Sequence, residues 1–152
     1  IGIHPWNIPE KWEEVFPLIE KYAQNQQVVA LGETGLDKKC TTDFFLQKQV
    51  FERHILLSER LEKPLILHIV SAYDELLHYK NLFKPKQQWV IHGFRGNEIL
   101  AKQLLEKNIF LSLGEKYNPN TLKFLRKHTF FTETDESLFP IKELREQMKI
   151  KD

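Results

Sequence analysis

The chain of 152 residues has one cysteine, one methionine, six glycines and no excess charge of either sign, with 22 Lys and Arg against 21 Asp and Glu. A lone Cys40 cannot close an internal disulfide, so a disulfide-stapled scaffold is excluded and a reducing, cytoplasmic setting is expected. No apolar run approaches the roughly 18 residues of a membrane-spanning helix, and no basic-then-apolar leader opens the sequence. The net charge of +1 points to no polyanion-binding face broad enough to dominate the composition. Neither G-x-G-x-x-G nor G-x-x-x-x-G-K-[ST] occurs, which argues against an open sheet that cradles a dinucleotide or nucleotide phosphates. What is present, 41% hydrophobic, 12% aromatic and 28% charged residues, suits one buried core and a single domain over 1–152.

Short β-branched or apolar runs recur at 1–4, 28–33, 64–69, 89–93, 109–114 and 129–135, without the strict alternation of a one-sided sheet. Buried parallel strands read this way. Segments with helical apolar spacing lie between them. Trp12, Val15, Phe16, Ile19 and Ala23 share one face, with Pro17 expected to kink that helix or start a second one. Thr41, Thr42 and Asp43 can cap the longest helix, Ser71 and Asp74 have capping-box spacing, Asn97 can cap another, and Pro119 and Pro140 each stand where a helix can begin. Alternating strands and helices imply right-handed crossovers and a parallel sheet. A (β/α)8 barrel usually takes about 250 residues. The chain therefore reads as about six of eight strand-helix units, with Ile1 already inside a strand and the amino end expected to be missing.

The polar residues fall at the carboxyl ends of these runs: His4, Glu33, His68, His92 and Asp135. Parallel strands point one way, so in a barrel these side chains converge on its mouth. Two imidazoles and two carboxylates suit Zn²⁺, Mn²⁺ or a similar divalent ion better than Ca²⁺. A carboxylate such as Glu33 can bridge two ions, and Asp135 can both hold a metal and orient or deprotonate a water. His4 can ligate or contact substrate. Arg95, close after His92, is the basic residue best placed to meet a substrate anion. Each residue also has an ordinary structural reading, a hydrogen-bonded histidine or a helix cap, and Glu133 and Asp135 alternate so that one can be structural and the other catalytic. His54, His78 and His128 read as structural or surface residues.

Five blocks, Gly-Ile-His-Pro at 2–5, Gly-Glu-Thr-Gly-Leu-Asp at 32–37, Lys-Pro-Leu-Ile-Leu-His at 63–68, His-Gly-Phe-Arg-Gly at 92–96 and Glu-Thr-Asp at 133–135, stand in the order found in one family. Over nearly its whole length the sequence resembles the TatD family of metal-dependent deoxyribonucleases, barrels of the amidohydrolase type. The resemblance implies Glu33 as bridging ligand, His68, His92 and Asp135 as further ligands of two divalent ions (Mg, Mn or Zn), Asp135 and His4 as catalytic residues, and Arg95 as a substrate contact. It implies hydrolysis of DNA phosphodiesters, typically as a 3′-5′ exonuclease; the residues themselves lead to the expectation of no membrane, and no obligate protein partner is evident in them. Other readings of the same residues are a metal-dependent amide or ester hydrolase and a non-catalytic fragment. The His-x-His of the family's first strand has no match here, Val70 replaces a usual basic residue and Lys38 a common aromatic one. The segment after Asp135 is shorter than the family's closing helices need, so both the first strands and those helices are expected to be absent.

Overall fold

The computed structural model describes residues 1–150, so the last two residues of the domain expected over 1–152 lie outside it. A 3-10 helix, Pro5–Asn7, is followed by α1 (Trp12–Ala23), β1 (Leu31–Asp37), α2 (Phe44–Leu61), β2 (Leu65–Val70), α3 (Tyr73–Phe83), β3 (Trp89–Ile91), α4 (Glu98–Glu106), β4 (Ile109–Leu113), α5 (Pro119–Leu125), β5 (Phe131–Thr132) and α6 (Ile141–Gln147). Two compact units result, Ile1–Trp89 and a second beginning at Val90.

Side-chain caps start three of the six α-helices among the described residues. The Asp43 carboxylate accepts from the Leu46 N–H and the Asn97 amide oxygen from the Leu100 N–H, both at 2.9 Å, which satisfies donors left orphaned at the starts of α2 and α4. Pro119, which needs no hydrogen bond there, opens α5 behind the Asn118 cap. The capping box expected at Ser71 and Asp74 does not form: Ser71 takes a positive φ of 54° and Ala72 precedes the helix without a side-chain cap. Nor does Pro17 divide α1, which continues through it. Pro17 is exposed, so the carbonyl deprived of a partner can turn to water.

In the first unit β1 and β2 pair in parallel, with Thr34 opposite Leu67, Gly35 opposite His68 and Asp37 opposite Val70. Leu31, Leu36, Phe51, Ile55, Leu65 and Leu67 are fully buried there, each worth about 1.5–3 kcal/mol of burial. Phe51 meets Tyr79 and Trp89 edge-on, with ring centroids 5.4 and 5.6 Å apart. In the second unit β4 and β5 pair in parallel, Ser112 opposite Phe131 and Leu113 opposite Thr132. Ala101 and Leu104 of α4, Ile109, Leu111 and Leu113 of β4, and Leu125, Leu144 and Met148 form its buried face.

Five strands, rather than six, occur among the described residues. Residues 1–4 are not a regular strand. The Ile1 carbonyl accepts from the Gly32 N–H at 2.9 Å, and the chain then turns at buried Pro5 into the 3-10 helix. The run 28–33 shifts to Leu31–Asp37, because parallel pairing with β2 continues as far as Asp37 opposite Val70. Glu33 and His68 consequently sit inside strands rather than at their ends. The run 129–135 contracts to Phe131–Thr132, and Asp135 lies beyond the strand.

His54 ties the start of the chain to α2. It is fully buried, with Nδ1 2.8 Å from the Val50 carbonyl and Nε2 3.2 Å from the Ile3 N–H. A carbonyl only accepts and an amide only donates, so Nδ1 carries the proton. Burial outweighs the Val50 carbonyl and lowers the His54 pKa from 6.5 to about 4. Because the unfolded chain binds the extra proton first, this contribution to stability is complete above pH 6.5 and is lost as pH falls towards 4, by about 3 kcal/mol. Urea denaturation across that range should show the decline, and His54→Phe, less stable at neutral pH, should lack this part of it.

Candidate metal centre

In the first unit three of the expected residues come together. Gly35 has a φ of 144°, a conformation L side chains rarely adopt, and a Cβ there would collide with the His68 carbonyl. Its bare backbone lets β1 lie against β2 at His68, while Glu33 and Asp37 flank it at alternate positions on the same side of the strand. His4 arrives on the segment held by Gly32 and His54, and its Nδ1 accepts from the Trp6 N–H at 3.1 Å. One donor atom from each of His4, Glu33 and His68 lies within 4.8 Å of the others. His4 Nε2 is 3.6 Å from Glu33 Oε2, and the His4 and His68 rings meet edge-on at 4.5 Å.

Asp37, only 4% exposed in its side chain, stands behind His68. Its Oδ2 accepts from Trp6 Nε1 at 2.7 Å and lies 3.1 Å from His68 Nε2, while Oδ1 accepts from the Lys39 N–H at 2.7 Å. Burial pushes the Asp37 pKa up, but the Trp6, Lys39 and His68 donors prevail and hold it below the ordinary carboxylate value. Gln47 of α2 fixes the same strand end, accepting from the Asp37 N–H at 2.7 Å and donating to the Asp37 and Thr42 carbonyls at 3.0 and 2.9 Å.

The second unit holds the other expected residues. His92 directly follows β3, and Gly93, at a φ of 57°, turns the chain so that Phe94 is buried while Arg95 is exposed. Glu133 Oε1 accepts from the Gly93 N–H at 2.5 Å and lies 3.5 Å from His92 Nδ1. Burial raises the Glu133 pKa, but hydrogen bonds from His92, the Ser112 side chain and Gly93 outweigh it and leave the pKa lowered. Asp135 is exposed with a φ of 49°.

The His68 imidazole and the Glu33 carboxylate, with His4 beside them, offer the mixed nitrogen and oxygen donors that suit a divalent transition metal or zinc. The residues of the first unit thus fit the expected cofactor class. The sequence reading missed Asp37 and Trp6 as partners of His68. Strand alternation from Glu33 through Gly35 to Asp37 carried a signal for the carboxylate; nothing local announced the indole.

Residues 1–147 match the family model described as TatD related DNase. An uncharacterized metal-dependent hydrolase of Buchnera aphidicola subsp. Baizongia pistaciae is 34% identical over 143 residues, covering 88% of this chain and 54% of that protein. A 3′-5′ ssDNA/RNA exonuclease TatD of Erwinia tasmaniensis is 27% identical over 114 residues, covering 74% of this chain and 44% of its own. The solved structure of a TatD family hydrolase from Entamoeba histolytica matches with a TM-score of 0.72 at 24% identity, covering 89% of this chain and 49% of that one. The chain spans about half the length of the curated relatives it matches. The structural likeness bears out the expected α/β class, part of a (β/α)8 barrel. No helix among the described residues is long and apolar enough to cross a membrane.

Proposed function

Because this chain belongs to the TatD-related DNase family, we propose that it is part of a divalent-metal-dependent hydrolase that cleaves DNA phosphodiester bonds, residues 1–152 being a piece of one barrel domain. The cluster of His4, Glu33 and His68, with donor atoms within 4.8 Å, is the observation that carries this reading. In the first unit Glu33 and His68 would hold metal, with His4 beside them; in the second, His92 and Asp135 would be further ligands, the cofactors being two divalent ions (Mg, Mn or Zn). When bound, such cations supply a water of lowered pKa and a counter-charge for the scissile group.

The protein's own groups have separable tasks. His4 accepts the Trp6 amide proton through Nδ1, so Nε2 is the nitrogen that faces Glu33 and the reacting group. Asp135, an exposed carboxylate, takes the proton of the attacking water. Exposed Arg95 meets a substrate phosphate. The near-neutral chain, at a net charge of +1, leaves substrate binding to the site and such local contacts rather than to a broad basic face. The single free thiol, Cys40, suits a cytoplasmic protein.

The test is turnover by the full-length protein with Mn²⁺ or Mg²⁺ on single- and double-stranded DNA, RNA, and small amides and esters. Expected are DNA hydrolysis, its loss on chelation and its return with added metal. Turnover of amides without DNA would replace the substrate assignment, and a protein that takes up no metal would end the reading.

A further inference from the structure

Two carboxylates outside the proposed ligand set each stand against one proposed ligand histidine. Asp37 faces Nε2 of His68 at 3.1 Å, and Glu133 faces Nδ1 of His92 at 3.5 Å. Neither is an idle surface charge, their side chains being 4% and 19% exposed. Both are pinned by other donors. Asp37 has one oxygen on the Lys39 amide and the other on the Trp6 indole, and Glu133 Oε1 is on the Gly93 amide. These bonds hold each carboxylate towards its imidazole.

An ionised carboxylate can only accept, so the ring nitrogen facing it carries the proton, and the lone pair that can bind a metal lies on the other nitrogen. The two rings are approached from opposite edges. We infer that Asp37 and Glu133 are positioning residues that fix opposite tautomers, His68 presenting Nδ1 to metal and His92 presenting Nε2. This rests on the proposal that both histidines are ligands, and it gives each a hydrogen-bonded outer partner of the kind that orients metal-binding imidazoles. Backbone placement explains the choice of side chain. Asp37 lies two residues beyond Gly35, the register partner of His68, where a short side chain reaches the ring. Glu133 follows β5 and uses its longer side chain to reach His92 and Gly93. Its task is the harder one, since free neutral imidazole in water prefers the Nε2–H form.

The experiment is long-range ¹H–¹⁵N correlation of histidine rings in the metal-free, full-length protein above the histidine titration range, with Mn²⁺ affinity measured alongside. His68 should appear as Nε2–H and His92 as Nδ1–H. Glu133→Ala, which removes the acceptor, should let His92 relax towards the Nε2–H form, and Asp37→Ala and Glu133→Ala should each weaken Mn²⁺ binding roughly 10- to 100-fold. The other histidine should keep its tautomer in each variant. A purely structural role would lower stability alone and leave Mn²⁺ affinity and the His92 ring proton in place. The reverse tautomer at either histidine in the wild-type protein overturns the inference, and this spectrum decides the matter even if a variant fails to fold. Unchanged tautomers and Mn²⁺ affinity in the two variants also overturn it. Hydrolysis is not a readout, so loss of the DNA assignment alone leaves the tautomer result standing.

Discussion

Asp135→Asn is expected to reduce the proposed turnover of the full-length protein by about 10²- to 10⁴-fold, the range for a lost general acid or base, with stability changed by no more than about 0.5 kcal/mol. The separation of effects follows from where the residue sits. Asp135 is exposed and has a φ of 49°, in the left-handed region that Asn tolerates as readily as Asp. The substitution therefore keeps shape and backbone conformation while removing the carboxylate that would take a proton and carry ligand charge. Single-turnover rates at saturating Mn²⁺ and DNA, together with a thermal melt, measure both halves. Glu136→Gln, at the neighbouring exposed position, should behave as wild type. Equal rates for wild type and Asp135→Asn would remove Asp135 from the mechanism.

Gly35→Ala is expected to have the largest effect on stability, about 3 kcal/mol or more. Two costs combine. A φ of 144° is strained for any L side chain, and the added Cβ would meet the backbone carbonyl of His68, which cannot swing aside as a flexible side chain would. Relief requires β1 and β2 to separate at the register pair that positions His68, so metal binding should weaken together with the fold. For a chain of this size the loss corresponds to a fall in melting temperature of roughly 10 °C. Gly114→Ala is the control: its nearest contact would be Glu133 Cγ at 3.7 Å, an ordinary van der Waals distance, and its φ lies outside the strained region. Similar melting temperatures for the two alanine variants would refute the close-approach argument.

The alternation of strands and helices was legible because its signals are local. Asp43, Asn97 and Pro119 act within one turn of their own positions, and the expected helix starts appear there. Signals that depended on distant partners were read less well. Gly32 gives its N–H to the distant Ile1 carbonyl and Gly35 lies opposite His68 of β2, so the strand conformation of both depends on segments remote in sequence. Residues 1–4 have strand composition, yet their single bond to Gly32, the His54 acceptor at Ile3 and the turn at Pro5 leave them outside a regular strand. Ser71 and Asp74 had the right spacing for a capping box, but the positive φ at Ser71 spoils the geometry that spacing assumes.

At the site, residue chemistry was the readable part. His4, Glu33 and His68 could be named from their type and position, and the first unit brings them together. Their environment was not readable. Nothing adjacent in sequence to His68 specifies that Asp37, with Trp6 and Lys39 as its own donors, supports the ring. Family and residue types were determined by the sequence alone, because motif order and side-chain chemistry are properties of the chain. Which ring nitrogen carries a proton and which carboxylate is buried were decided only by the tertiary structure, because hydrogen bonding and desolvation depend on atoms that meet only after folding.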